Sequence, residues 1–264
     1  MKIIETFTLS KTGLPEDNED AFWVGEDFCL VADGVTDKTK RRFHGKTGGQ
    51  VAVECIVSVL RELSGDEDAH AVFDKVQARV RQFKNADEDL PIQASVVIYS
   101  RRRRELWSVG DCRYRINGEL YQNEKKIDRL LSSLRAMIIE VLICRGHTEE
   151  ELLEHDISRD MIMPFLKMQS DFIGCSSDFG YCVIDGNRDD LDIKIHKIPG
   201  GSELVLASDG YPVLENTLAE SEARLEALLR DDPLCYRLCP STKGKSGNNI
   251  SFDDRTYLKI ITAP

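Results

Sequence analysis

The spacing of apolar residues changes several times along the chain, and each change marks a different kind of element. Ile3 to Leu9 and Ala21 to Val24 read as short strands flanking a polar loop from Lys11 to Asn18, and Phe28-Cys29-Leu30-Val31 is a further strand-like run. From Gly48 to Leu63 the period is helical, with Val51, Cys55, Val59 and Leu63 on one stripe and Ala52 and Ile56 beside it. A second helix is expected over Glu67 to Phe83, burying Val72, Phe73, Val76 and Val80. Pro91 to Ser100, Arg104 to Val109 and Cys112 to Ile116 then read as consecutive strands, followed by the hairpin turn Asn117-Gly118. Lys126 to Leu166 is helix-rich, with one apolar face carrying Leu130, Leu134, Met137, Ile138, Val141 and Leu142. Gly146 stops that helix, and Thr148 with Glu151 makes a capping box for the next. Strands are expected again at Tyr181 to Ile184, Asp192 to Ile198, Glu203 to Ala207 and Tyr257 to Ile261, with a helix over Leu218 to Leu229. The loop Ser241 to Asn249, rich in Gly, Ser, Asn and Lys, is expected to be mobile.

Strand clusters separated by helical pairs favour antiparallel sheets covered by helices, an α+β arrangement. No repeat and no Pro-rich linker interrupts the chain, so residues 1–264 are read as a single domain with a helix-rich segment at 123–179. The 41% apolar content is enough for a core, and the 31% charged content gives a soluble surface. A net charge of −11 argues against general nucleic-acid binding, which needs cations to displace phosphate counterions. No apolar run approaches a membrane span, and the start Met1-Lys2-Ile3-Ile4-Glu5 does not read as a signal peptide. Eight cysteines without a Cys-x-x-Cys pair read as free thiols, which fits a cytoplasmic location. The four arginines 101–104 leave two readings open, a solvated hairpin tip or a docking patch for an acidic partner.

Four acidic motifs add chemistry to this pattern: Asn18-Glu19-Asp20-Ala21, Val31-Ala32-Asp33-Gly34, Ala207-Ser208-Asp209-Gly210 and Asp253-Asp254-Arg255-Thr256. Three adjoin strand-like runs, and carboxylates fixed together repel unless a cation neutralises them. Hard oxygen ligands of this kind suit Mg²⁺ or Mn²⁺. Cys239 has Lys245 rather than Arg at the spacing of the Cys-x5-Arg signature of a cysteine phosphatase.

With Val109-Gly110-Asp111-Cys112-Arg113 between them, and Gly146 to Leu153 as a further match, these motifs resemble in type and order the PP2C (PPM) family of metal-dependent serine/threonine phosphatases. The resemblance implies a four-layer αββα sandwich of two antiparallel sheets flanked by helices, and two Mg²⁺ or Mn²⁺ ions. It implies Asp33 as a bridging ligand, the Gly34 carbonyl on one ion, and Asp209 and Asp253 on the other. Asp253 rather than Asp254 matches the liganding position, counting back from Thr256. Glu19 and Asp20 match acidic residues that hold metal-bound water, and Asp128 is the candidate for a third ion, with Glu124 as competitor and a plain helix-start charge as the alternative. Asp20, Asp33, Asp209 and Asp253 are then the catalytic set, acting on phosphoserine or phosphothreonine in a protein substrate made by a cognate kinase.

Two departures stand out. Pro15 occupies the place of the family's phosphate-binding Arg, so no bidentate guanidinium is available there. The basic run Lys38, Lys40, Arg41, Arg42 and Lys46 follows Asp33-Gly34 and is the candidate substitute, with Lys38, Arg41 and Arg42 as substrate-binding residues; a solvated loop is the alternative. Cys112 replaces the usual Ser. His44, His147 and His155 are available proton donors but read more readily as surface residues. The rival functions are a non-catalytic, phosphatase-shaped binding module and a phosphatase for a small phosphorylated metabolite.

Overall fold

The computed structural model describes residues 1–38, 41–84 and 91–264. Its strands form two five-stranded sheets in which every pairing is antiparallel. One sheet runs β1 (Lys2–Leu9), β10 (Arg255–Ile261), β9 (Glu203–Ala207), β6 (Arg113–Ile116), β7 (Glu119–Tyr121). The other runs β2 (Asp20–Val24), β3 (Phe28–Gly34), β4 (Ala94–Ser100), β5 (Glu105–Val109), β8 (Lys194–Lys197).

Strand alternation sorts the core into layers. Phe28, Leu30 and Ala32 of β3 pack with Val96, Ile98, Trp107 and Val109 against the apolar faces of α1 (Gly48–Glu62) and α2 (Ala69–Lys84). Cys29 and Val31, on the opposite face of β3, meet Val97, Tyr99 and Leu106 and, from the other sheet, Leu204, Leu206, Leu258 and Ile260. Each such side chain taken fully out of water contributes about 1.5–3 kcal/mol. On the far face of the first sheet, Val205, Ala207 and Tyr257 pack with Tyr211, Leu214 and Leu218, where α6 (Leu218–Asp231) begins.

The helix-rich segment builds a core of its own. Leu131, Ile138, Ile139 and Leu142 of α3 (Lys126–Cys144) pack with Leu152 of α4 (Glu149–Glu154), Ile162 and Leu166 of α5 (Ile157–Met168), and Leu234 and Tyr236. The expected single apolar face of α3 therefore divides. Ile138 and Leu142 are buried and Leu134 partly so, whereas Leu130, Met137 and Val141 are exposed. Met161, Phe165 and Met168 of α5 are exposed as well.

Other expectations meet two corrections. Tyr181 to Ile184 makes isolated bridges, Ile173 with Tyr181 and Ala94 with Ile184, instead of a strand. The pairing of β5 with β4 begins at Val96, so only Ala94 is left for Ile184 to join. The loop Ser241 to Asn249 is tied down by backbone bonds from Ser241 to Cys235 (3.0 Å), Lys245 to Pro233 (2.8 Å) and Gly247 to Leu153 (3.1 Å). Asn117 and Gly118, at φ 50° and 87°, make the expected tight hairpin turn. Arginines 101–104 form the tip between β4 and β5, where Arg102 pairs with Asp27 at 2.7 Å and Asp66 at 3.1 Å.

Candidate metal centre and active site

The alternation that builds the inter-sheet core also delivers the acidic residues to one end of it. Asp33 continues the Cys29 and Val31 face of β3, and its partner across the strand pair is Asp20 at the start of β2. Asp209 directly follows β9, and Asp253 and Asp254 directly precede β10. The two sheets meet here: the Asp209 backbone N–H donates to Asp33 Oδ2 at 3.2 Å. Ser208 and Thr256 lock β9 to β10 by reciprocal bonds of 3.1 and 2.9 Å.

Glycine is required at two of the motifs. A Cβ on Gly34 would lie 2.5 Å from the Glu19 carbonyl oxygen and 2.7 Å from the Gly49 backbone. A Cβ on Gly210 would lie 2.0 Å from the Asp254 carbonyl oxygen. The close approach at Gly34 brings the N-terminus of α1 against β3. Thr47, the capping residue of α1, donates to Glu19 Oε1 at 2.6 Å, and Thr36 donates to Glu19 Oε2 at 2.6 Å.

The carboxylates fall into two groups according to what already neutralises them. Asp254 is taken up structurally, accepting the backbone N–H groups of Lys11 at 2.8 Å and Glu19 at 2.9 Å. Asp253 is in ion-pair contact with Lys243 through Oδ2 and has the Lys11 ammonium 3.9 Å from Oδ1. Burial alone would raise its pKa, but Lys243 and Lys11 hold it below the usual carboxylate range. Asp111 accepts from Ser95 Oγ at 2.5 Å and from Lys125 at 2.7 Å, and Lys125 likewise outweighs burial and keeps it low.

Among the described residues Asp20, Asp33 and Asp209 have no lysine in ion-pair contact. Asp20 and Asp33 are pushed well above the carboxylate range, first by burial and then by neighbouring carboxylates, Asp254 for Asp20 and Asp209 for Asp33. Burial, Asp253 and Asp111 push Asp209 up to about 6. Asp20 Oδ2 is buried without a hydrogen-bond partner among the described residues. Among the described residues no three His, Cys, Asp or Glu side chains are drawn together as a ready-made cage. The donor set nevertheless fits a hard divalent cation: buried oxygens, one of them orphaned, whose mutual repulsion a cation would relieve.

One cleft takes in Asp33, Gly34, Asp111, Asp128, Asp209 and Asp253 together with Lys38, Lys125, Arg159 and Lys243. Arg41 and Arg42 do not line it; Arg42 donates to the Gly45 carbonyl at 3.0 Å, and Lys40 lies outside the described residues. Lys38 is half-buried, and burial, Lys243, Lys125 and Arg159 bring its pKa down to about 8. Asp128 sits in the first turn of α3, 4.0 Å from the Lys125 ammonium, and burial raises its pKa. Glu124, its competitor in sequence, also lines the cleft. His44, His147 and His155 stand outside it.

Lys11, Lys125, Arg159 and Lys243 are the site residues that sequence reasoning missed. Lys11 and Lys243 lay in polar loops with no motif to mark them, and Lys125 and Arg159 beside or within helices read for apolar spacing alone. Arg113 of the middle motif clamps the backbone after Gly210, donating to the Tyr211 carbonyl at 2.7 Å and to the Pro212 carbonyl. Cys112 is a buried inter-sheet residue whose thiol burial raises well above its ordinary pKa. Pro15 opens a single helical turn, Pro15–Asp17.

No family profile and no curated protein matches the sequence. Solved structures do. The catalytic domain of the serine/threonine protein phosphatase PstP in complex with two manganese ions superposes with a TM-score of 0.52 at 16% identity, covering 99% of this chain and 100% of that one. The Mycobacterium tuberculosis serine/threonine phosphatase PstP/Ppp gives 0.50 at 18% identity, with the same coverage. A bacterial serine phosphatase gives 0.50 at 15% identity, covering 97% of this chain and 96% of that one. In its sheets, its helices and the order in which they are strung, this chain has the fold of the PP2C-type serine/threonine phosphatases.

Proposed function

We propose that the protein is a Mg²⁺- or Mn²⁺-dependent phosphomonoester hydrolase acting on phosphoserine or phosphothreonine in proteins. The observation that carries this reading is the cleft itself, which gathers the buried Asp33 and Asp209, both raised in pKa by burial and neighbouring carboxylates, with Lys38, Lys125, Arg159 and Lys243 in one space open to substrate. An ion bound there supplies Lewis acidity and lowers the pKa of a water. Asp33, the Gly34 carbonyl and Asp209 would hold it. Asp20 Oδ2, with no partner among the described residues, is available to orient a water. Lys38 and Arg159 take over the phosphate-binding task that an Arg at position 15 would have performed, attracting the dianion into the cleft.

Under this reading the partners are phosphorylated proteins and the kinase that phosphorylates them; PstP, a structural neighbour, is a serine/threonine protein phosphatase. The eight free thiols favour the cytoplasm, and no helix among the described residues is long and apolar enough to cross a membrane.

One observation favours a second reading, a phosphatase-shaped binding module: Pro15 removes the usual Arg while lysine ammonium groups enter the acidic centre. Hydrolysis of a generic aryl phosphate and of a phosphopeptide panel, with and without Mn²⁺, separates the two. Mn²⁺-dependent turnover of phosphopeptides is expected. Binding of phosphopeptides with no turnover at any Mn²⁺ concentration would give the site to the binding module, and turnover of small phosphoesters alone would move the substrate to a metabolite.

A further inference from the structure

Two lysines stand where the resemblance would put a second cation. Lys243 contacts Asp253 Oδ2. On the other side, the Lys11 ammonium lies 3.9 Å from Asp253 Oδ1, 3.6 Å from Glu19 Oε2 and 3.5 Å from Asp254 Oδ1, and it donates to Thr36 Oγ1 at 3.1 Å. Neither is a side chain strayed from a loose loop. The Lys11 backbone is fixed at both ends, its N–H on Asp254 Oδ1 at 2.8 Å and its carbonyl accepting from Ile250 at 2.8 Å. The strand of loop that carries Lys243 is held by two arginines from the helix-rich segment. Arg159 donates to the Thr242 carbonyl at 2.5 Å, and the fully buried Arg135 donates to the Ser241 carbonyl at 3.1 Å and the Leu234 carbonyl at 2.8 Å.

We infer that the Lys243 and Lys11 ammonium groups replace one of the two divalent ions, so that the centre binds a single ion, through Asp33, Gly34 and Asp209. This rests on the metal-dependent reading above and narrows it. The physical reason is exclusion: any ion brought within ligand distance of Asp253 Oδ2 meets a positive charge already in contact with that oxygen, and Lys11 flanks the other oxygen. Among the described residues Asp33 and Asp209 carry no lysine contact, which leaves them to the remaining ion.

The test counts ions on the full chain, by equilibrium dialysis against Mn²⁺ with elemental analysis and by Mn²⁺ titration calorimetry. One Mn²⁺ per wild-type chain is expected, and two per chain in Lys243→Met, which keeps the length of the side chain and removes its charge; Lys243→Arg should stay at one. Thermal melts of each variant verify folding, and the wild-type count is decisive whether or not a variant folds. Two ions on the wild type would overturn the inference while leaving metal-dependent hydrolysis standing. One ion on both wild type and folded Lys243→Met would also overturn it, because the lysine would not be what excludes the second. No bound ion, together with no metal-dependent turnover, would overturn this inference and the hydrolase reading together.

Discussion

Asp209 and Lys38, both lining the cleft, set the residue-scale expectations. Asp209→Asn removes a charge and little volume, so the fold should persist while metal affinity and turnover fall. Loss of one anionic ligand costs about several kcal/mol of transition-state stabilisation in metal catalysis. Titrating activity with Mn²⁺ while following the melting temperature checks both halves, and equal turnover at saturating Mn²⁺ would remove Asp209 from the mechanism. Lys38 is brought to about 8 by burial and then by Lys243, Lys125 and Arg159, so it is an ammonium below that pH and a neutral amine above it. Its attraction for a phosphate dianion is therefore complete at pH 7 and is lost as the pH rises through 8. KM should rise through that window in the wild type, and Lys38→Met should show a high KM that no longer changes there. The acidic half of this site was legible in sequence because carboxylates in Asp-Gly turns have a recognisable order. Of the basic half only Lys38 was, because a lysine reaches its partner through four methylenes and where its head lands depends on the tertiary path of the loop.

Elements with a strong local period were the easiest to read. The periods at Val51 to Leu63 and Val72 to Val80 gave α1 and α2 nearly to their ends, and Thr148 with Glu151 forms the expected capping box. Tyr181 to Ile184 failed as a strand although its composition suits one, because pairing depends on which sheet edge is vacant and that is not local information. The mobile reading of Ser241 to Asn249 failed for a related reason: its polar residues predicted solvent, but its backbone is held by Arg135 and Arg159. Arg135 is 0% exposed and makes a two-nitrogen contact with Asp156 at 3.1 and 2.6 Å. Arg135→Met leaves Asp156 without its partner and frees three carbonyls, and breaking such a pair from one side costs about 3–5 kcal/mol. Urea unfolding should show that loss. Arg135→Met combined with Asp156→Asn should recover part of it, because the orphaned charge is gone. A loss under about 1 kcal/mol for the single variant would mean that the loop is held by other contacts.

At the scale of the whole molecule, strand alternation carries acidic residues from both ends of the chain to one end of the sandwich, where lysines pair with Asp111 and Asp253 and, among the described residues, leave Asp20 and Asp33 without a lysine partner. Asp20 and Asp33 are cross-strand partners, a placement that destabilises a sheet by up to about 1 kcal/mol when both are charged. The arrangement should therefore be less stable without metal than an uncharged copy of itself, and more stable with it. Asp33→Asn separates the two states, since the amide oxygen can still accept the Asp209 N–H while the charge is removed. In chelator the variant should melt higher than wild type, by about 2–4 °C for each kcal/mol of repulsion relieved. In Mn²⁺ at a hundredfold excess over its dissociation constant, the wild type should gain about 2.7 kcal/mol and the variant much less, so the order of melting temperatures inverts. The inversion, more than either shift alone, ties the acidic cluster to a cation. If Asp33→Asn melts below the wild type in chelator and in Mn²⁺ alike, Asp33 is a structural carboxylate, and the strain assigned to this end of the sandwich is absent.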